Sequence, residues 1–335
     1  MSKKLKAAVI GLGVGEQHLI GYLKNSHVEV SAVCDIDEKK LREVSNKYSI
    51  AKIFTCWKKL LCEDLDIVSI CSYDNYHAVQ TCLALENGIN CMVEKPIALN
   101  RKEAEKILIA YKKSKCILTS NLILRESQRF KLLKKKISAG KYGKIVTIEA
   151  DYLHNILWKI KKGWRGSMMY YSTVFGGGIH LIDLARWILN KEVKEVFCIS
   201  NNVQTQNSSY KFDDFFCSLL KFENETILKS TTNFGSIRNK FHSLNIYGTK
   251  ATYINELPDG YFFDSFGDDV KPKFDQTPYK STIDKFALID NFVDSVRGKK
   301  KCRVSVEDVF RVMDICFAIM ESNKKRKLIK VNYSI

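Results

Sequence analysis

The run Ala7-Ala8-Val9-Ile10-Gly11-Leu12-Gly13-Val14-Gly15-Glu16 constrains the chain more than any other segment. Four apolar residues suit a buried parallel strand. Glycines follow at once, and Leu19, Ile20 and Leu23 then recur at helical spacing. In a strand–turn–helix of this kind Gly11 permits the tight turn and Gly13 lets the backbone approach a pyrophosphate. The helix N-terminus then offers N–H groups to the anion. Val28 to Cys34 reads as the next strand and ends at Asp35, where a carboxylate accepts from ribose hydroxyls. A carboxylate there repels a 2′-phosphate, so the pattern favours NAD over NADP. Gly11, Gly13, Val14, Gly15 and Asp35 are the expected cofactor contacts. One position departs from the fingerprint: Glu16 stands where glycine or alanine is usual.

The alternation continues. Ile67–Cys71, Ile89–Val93 and Cys116–Ser120 read as strands, with helices over 75–87 and 101–113. Ligands of such sheets bind outside the carboxyl ends of the strands. Gly11, Asp35, Tyr73, Lys95 and Asn121 all fall at such ends. From residue 145 the pattern turns to strands: 145–151, 193–200, 215–222, 226–232, 244–247 and 251–254, several alternating apolar and polar residues as a one-sided sheet does. Glu223-Asn224 is a hairpin signal. Helices are expected over 180–189, with Leu181, Leu184, Ala185 and Ile188 on one face, and over 306–322. The expected architecture is α/β followed by α+β. A Rossmann NAD-binding domain spans 1–121, and a substrate-binding and oligomerisation domain with a large, mostly antiparallel sheet spans 122–335. Whether the last helix, 306–322, packs back on the first domain is left open.

Composition removes other classes. With 335 residues, 45% hydrophobic and only 4 prolines, the chain is neither largely disordered nor too small for two cores. No apolar run reaches the roughly 18 residues of a membrane helix, so no membrane partner is expected. The net charge of +17 comes from 43 lysines against 11 arginines spread along the chain, without zinc-finger or helix-turn-helix spacing, so no nucleic-acid partner is expected either. The 11 cysteines lack any C-x-x-C pair and mostly sit in apolar runs, which suits a reducing, cytoplasmic compartment, and no metal is expected.

Several segments taken in order resemble the Gfo/Idh/MocA family of nicotinamide-dependent oxidoreductases. Tyr73-Asp74-Asn75-Tyr76-His77 is similar to the family's T-P-N-x-x-H, with Tyr73 and Asp74 departing. Asn87 to Pro96, ending in Glu94-Lys95-Pro96, resembles its A-G-K-H-V-x-x-E-K-P. Gly177-Gly178-Ile179-His180-Leu181-Ile182-Asp183 resembles the segment with its catalytic histidine, and Tyr247-Gly248-Thr249-Lys250 and Glu307-Asp308 also have counterparts. The resemblance implies cofactor contacts from Tyr73, Asn75, His77, Glu94, Lys95 and Asn121. It also implies assembly as a homodimer or homotetramer.

Oxidising a secondary alcohol requires hydride loss from carbon and proton loss from oxygen. The protein must therefore offer a base and a positive group for the developing alkoxide. The resemblance implies Lys95 and His180 for these roles. His180 is expected to open a helix, whose dipole disfavours imidazolium. Relatives usually carry an aspartate four residues before this histidine, where the chain has Gly176. Three alternatives stand open: Asp183, one turn on, orients His180; Tyr170 or Tyr171 supplies a phenol; or activity is weak or lost. His154, Trp164, Arg165 and Tyr171 are candidate substrate contacts, with Arg165 suited to a bidentate grip on a carboxylate, phosphate or hydroxyls. The expected activity is NAD-dependent hydride transfer to or from a secondary alcohol or ketone of a sugar, polyol or nucleotide-activated sugar. The alternatives are a family reductase acting on a non-sugar substrate and a non-catalytic NAD(H)-binding sensor or scaffold.

Overall fold

Strands buried on both faces need near-continuous apolar sequence, and the first third of the chain supplies it. The computed structural model describes residues 3–267, 270–280 and 285–335. Its first elements are β1 (Leu5–Ile10), α1 (Gly15–Lys24), β2 (Val28–Cys34), α2 (Glu38–Tyr48), β3 (Lys52–Phe54), α3 (Trp57–Leu60), β4 (Ile67–Ile70), α4 (His77–Glu86), β5 (Asn90–Val93), α5 (Arg101–Lys113) and β6 (Leu118–Ser120). The strands form one parallel sheet in the order β3-β2-β1-β4-β5-β6. Strand order reverses at β1, so the sheet has a switch point beside the glycine turn, where a doubly wound sheet binds its ligand. Side-chain caps fix the helix starts: Asp37 accepts from the Lys40 amide and Asn100 from the Glu103 amide.

Two glycines are demanded by this turn. Gly11 has φ +84°, and a Cβ there would lie 2.5 Å from the Cys71 carbonyl oxygen. A Cβ on Gly15 would lie 2.9 Å from Val9 Cγ1 and 3.0 Å from Cys71 Cβ. Gly15 therefore provides the close helix–strand approach expected of the fingerprint's last glycine, one residue before the position held by Glu16. Glu16 turns to α2, where its carboxylate accepts from Lys47 Nζ at 2.8 Å and Tyr48 Oη at 2.9 Å.

The next elements are α6 (Gln128–Ser138), β7 (Ile145–Leu153), α7 (Trp158–Lys161), α8 (Ile179–Leu189), β8 (Val193–Asn201), β9 (Phe215–Phe222), β10 (Ile227–Asn233), β11 (Phe241–Gly248), β12 (Thr252–Ile254), β13 (Gly260–Phe263) and β14 (Lys273–Asp275). The chain closes with α9 (Phe286–Val296), α10 (Val306–Lys325) and β15 (Ile329–Lys330). The second sheet runs β14-β13-β12-β11-β7-β10-β9-β8-β15 and is antiparallel except where β10 pairs with β7. Its central strands alternate: Ile148, Ala150 and Tyr152 of β7 are buried while their neighbours are not. Arg129 of α6, fully buried, gathers the loops at one end of this unit. It donates to the backbone oxygens of Thr277, Glu256 and Pro258 and to Asn255 Oδ1.

The chain divides into two compact units, Met1–Asn121 with Asp284–Phe310 and Ser334–Ile335, and Leu122–Ile283 with Arg311–Tyr333. The expected second domain, 122–335, includes 284–310; the structure places this stretch in the first unit. The reason is packing on α1, where a Cβ on Gly21 would lie 2.6 Å from Ile289 Cδ1 of α9. The division falls within α10, after Phe310. The start of α10 carries a capping box, with the Ser305 amide donating to Asp308 Oδ2 and the Asp308 amide to Ser305 Oγ.

Because the contacts at Gly15 are with a stiff β-branched side chain and a Cβ, Gly15→Ala forces α1 off the sheet. The expected loss is about 1–3 kcal/mol in urea denaturation, with weaker nucleotide binding. An unchanged midpoint would show that the turn has slack.

Candidate active site

In the first unit the strand ends carry the expected cofactor residues. The Asp35 carboxylate, at the end of β2, accepts from the Leu12 amide at 2.6 Å and the Asp37 amide at 2.9 Å. It thus tethers the glycine turn and keeps lone pairs for a further donor. Space above Gly13 is open: the nearest atom to a Cβ there is Lys40 Nζ, at 4.0 Å. Val14 is solvent-exposed beside it, and Tyr73 and Asn75 are exposed at the end of β4.

Glu94, at the end of β5, is a buried hub. It accepts from Asn121 Nδ2 at 2.8 Å and from Lys285 Nζ, and lies 3.2 Å from His18 Nε2. His18 Nδ1 and Tyr22 Oη both bond Ser69 Oγ, at 3.0 and 2.8 Å. Burial works against ionisation of Glu94, but the Lys285 ammonium and the His18 ring outweigh it and hold the carboxyl well below the usual carboxylate range. Burial holds His18 below its ordinary value, hence neutral. His18 and Lys285 had no motif to mark them in the sequence. Glu94 is thus already engaged by protein donors, and it ties Asn121 to the strand end that precedes Lys95. His77 is likewise a wall residue rather than an offered donor: buried, with Nδ1 2.6 Å from the Pro96 carbonyl and Nε2 3.1 Å from that of Ser72.

These features fit a dinucleotide. Gly11 and Gly13 leave a cradle that side chains would fill, and Asp35 stands at the ribose position. Asn121 Oδ1 and Ser120 Oγ, at the end of β6, are buried without a hydrogen-bond partner among the described residues. Gly11, Gly13, Asp35 and Asn121 would hold the group. Among the described residues no group of three or more His, Cys, Asp or Glu could hold a metal ion, and no helix is long and apolar enough to cross a membrane.

In the second unit the site is built on the inner face of the sheet. The chain enters α8 through a π-turn, Val174–Gly178, whose glycines lie directly on the sheet. A Cβ on Gly177 would be 2.6 Å from the Tyr152 ring, and one on Gly178 2.6 Å from Thr232 Oγ1. This close approach sets the His180 ring over Tyr152, stacked at 6.5 Å between centroids and 21° between planes. His180 does not open its helix as expected: helical backbone precedes it without a break, so a free helix N-terminus is not what acts on its ring. Tyr152 also meets His154 and His242 edge-on, at 6.1 and 5.5 Å, and its hydroxyl lies 3.3 Å from His154 Nδ1. The Tyr279 hydroxyl accepts from the His242 amide at 3.1 Å and bonds its Nδ1 at 2.6 Å. Burial lowers His154 to about 4 and His242 to about 3, with Lys240 adding to both. The imidazoles and phenols beside Tyr152 are therefore neutral, with the cations Arg165, Lys159 and Lys240 close by. Tyr152, His242 and Tyr279 were missed in the sequence, since only strand register brings them together: His242 pairs with Tyr152 across β11 and β7.

Asp183 is held by a residue that no motif signalled. Its two oxygens accept from Arg125 Nε at 2.9 Å and Nη2 at 2.5 Å, with both side chains almost wholly buried. This bidentate pair fixes α8 whatever else Asp183 does. The Arg165 guanidinium lies over the rings of Trp164 and Tyr171, at 4.1 and 5.7 Å.

Comparison with known proteins identifies both parts of the chain. Residues 5–122 match the oxidoreductase family with an NAD-binding Rossmann fold, and residues 130–254 match the GFO/IDH/MocA C-terminal domain. D-glucoside 3-dehydrogenase of Escherichia coli (strain K12) is 25% identical over 343 residues, covering 96% of each chain. Myo-inositol 2-dehydrogenase of Thermotoga maritima is 30% identical over 203 residues, 58% of this chain and 57% of that protein. Among solved structures, myo-inositol 2-dehydrogenase from Lactobacillus plantarum superposes with a TM-score of 0.85 at 22% identity, over 98% of this chain and all of that one. A levoglucosan dehydrogenase in complex with NADH gives 0.85 at 19% identity, over 99% of this chain and 100% of that one.

Removing the Asp183 charge leaves a buried guanidinium uncompensated. Asp183→Asn is therefore expected to cost about 3–5 kcal/mol of stability in denaturant titration. A loss below about 1 kcal/mol, near that of a surface pair, would show that Arg125 finds another partner.

Proposed function

The chain belongs to the Gfo/Idh/MocA family of NAD-binding oxidoreductases, and within that family we propose that it interconverts a secondary alcohol and a ketone on a sugar, polyol or nucleotide-activated sugar. The reading rests above all on one observation: the motif lysine stands at the end of β5 in a chain whose other unit presents the motif histidine beside neutral imidazoles and phenols. D-glucoside 3-dehydrogenase, similar over nearly the whole length, supports a ring hydroxyl as the reacting group.

When bound, NAD supplies the hydride acceptor, or NADH the donor. The Lys95 ammonium stabilises negative charge on the substrate oxygen, and His180 takes the hydroxyl proton in oxidation and returns it in reduction. Asp35 directs the choice toward NAD, since a 2′-phosphate would face its carboxylate. His154, Trp164 and Arg165 serve the substrate side, with Arg165 poised by its two aromatic neighbours, whereas Tyr171, expected as a substrate contact, is 1% exposed and lies behind that surface. The protein works in a reducing cytoplasm, which its free cysteines support. It assembles as a homodimer or homotetramer through the outer face of the large sheet, where Ile199, Leu219 and Ile227 are exposed.

The test is a fluorescence or calorimetric titration with NADH and NADPH, followed by a panel of sugars, polyols and nucleotide sugars. NADH is expected to bind clearly tighter than NADPH. Lys95→Ala and His180→Ala are each expected to lower turnover at least about a hundredfold with NADH binding nearly intact. Full turnover in either variant overturns its role, and binding without turnover on any substrate favours a sensor or scaffold.

A further inference from the structure

Gly176 stands four residues before His180, in the position where the resemblance calls for an acid, yet its site is not empty. A Cβ on residue 176 would lie 2.0 Å from the hydroxyl oxygen of Tyr171 and 2.9 Å from Phe234 Cζ. From these contacts we infer that Tyr171 replaces the missing acid: its phenol occupies the volume of that side chain and positions the His180 imidazole. The inference rests on the proposed proton-transfer role of His180.

Three features support it. First, helical backbone is continuous from Val174 through α8, so residue 176 precedes His180 by about one turn and shares its face. An oxygen placed where the 176 side chain would begin is therefore delivered to that same face. Second, the phenol is fixed. Tyr171 is 1% exposed, its ring lies under the Arg165 guanidinium, and its carbonyl accepts from Tyr210 Oη at 3.3 Å. Third, the neighbouring phenol is committed elsewhere: the Tyr170 ring packs edge-on against Phe175 and Phe212 and is 37% exposed. Of the two tyrosines left open by the sequence, the geometry selects Tyr171.

The chemistry differs from that of a carboxylate. A hydroxyl can donate to a neutral imidazole nitrogen and, after rotating, accept from the N–H of the imidazolium. It can follow His180 through both protonation states without itself losing a proton. It brings no formal negative charge, so it orients the ring but stabilises the imidazolium less than an aspartate would. Gly176 and Tyr171 are thus one device: the glycine is what makes room for the phenol, and an aspartate at 176 cannot coexist with Tyr171.

The test compares Tyr171→Phe, Tyr171→Ala and the double variant Tyr171→Ala/Gly176→Asp in the full-length protein. The readouts are kcat and KM, NADH affinity, and the imidazole 15N shifts of His180, assigned by their loss in His180→Ala. Tyr171→Phe keeps the ring and the packing, so NADH affinity should hold while kcat falls roughly 10- to 100-fold and the His180 ring shifts move. The double variant should recover kcat over Tyr171→Ala, which a purely structural role does not predict. A Tyr171→Phe protein with kcat within about twofold of the parent and unmoved His180 shifts overturns the inference. Because the ring shifts are read without substrate, they decide this point even where no sugar is turned over, which would instead count against the proposed reaction.

Discussion

The first unit is organised around the buried carboxylate of Glu94. Glu94 ends β5, yet its partners come from α1, from β6 through Asn121, and from Lys285 just before α9. A charge taken out of water is tolerable only where donors surround it, so these elements must arrive together. Lys285 is separated from Glu94 by 191 residues. The stretch 284–310 therefore belongs with the nucleotide-binding sheet rather than with the sequence-adjacent second unit. The same network holds the strand ends on which Lys95 and Asn121 stand, so the precision of the cofactor side derives from an ion pair that itself performs no chemistry.

The second unit uses a different constraint, close approach. Gly177 and Gly178 allow a helical backbone to rest on Tyr152, Phe234 and Thr232, and Gly176 leaves room for the Tyr171 hydroxyl. The cost of so much glycine in a helix, roughly 0.5–1 kcal/mol each, is offset by a histidine whose ring position is set by the sheet beneath it. The buried Arg125–Asp183 pair locks the same helix from its other side.

What could be read in the sequence was whatever has a local period. Five short apolar segments, the glycine turn and the alternating strands of the second half appear as expected, helix 101–113 matches to the residue, and the short strand β3 had no expectation. What could not be read depends on register or on distant partners. The aromatic and histidine face arises because Tyr152 sits opposite His242. The fingerprint's last glycine had moved one residue, to Gly15, which only the clash with Val9 reveals. The π-turn before α8 was invisible, because three glycines look like a loop until the sheet they lie on is known.

The distribution of arginine adds a historical dimension. Lysine is the default cation of this chain, 43 to 11, yet among the described residues the lysine and arginine side chains buried deepest are Arg125, Arg129 and Arg186. Arg125 and Arg186 each grip a carboxylate with two nitrogens, and Arg129 spreads its bonds over four neutral oxygens. A lysine ammonium is a point donor and cannot span such a fork. A lysine at any of these three positions would leave without a donor oxygens that the guanidinium now holds. In a set of diverged copies of this gene these positions should stand as fixed landmarks against a shifting background.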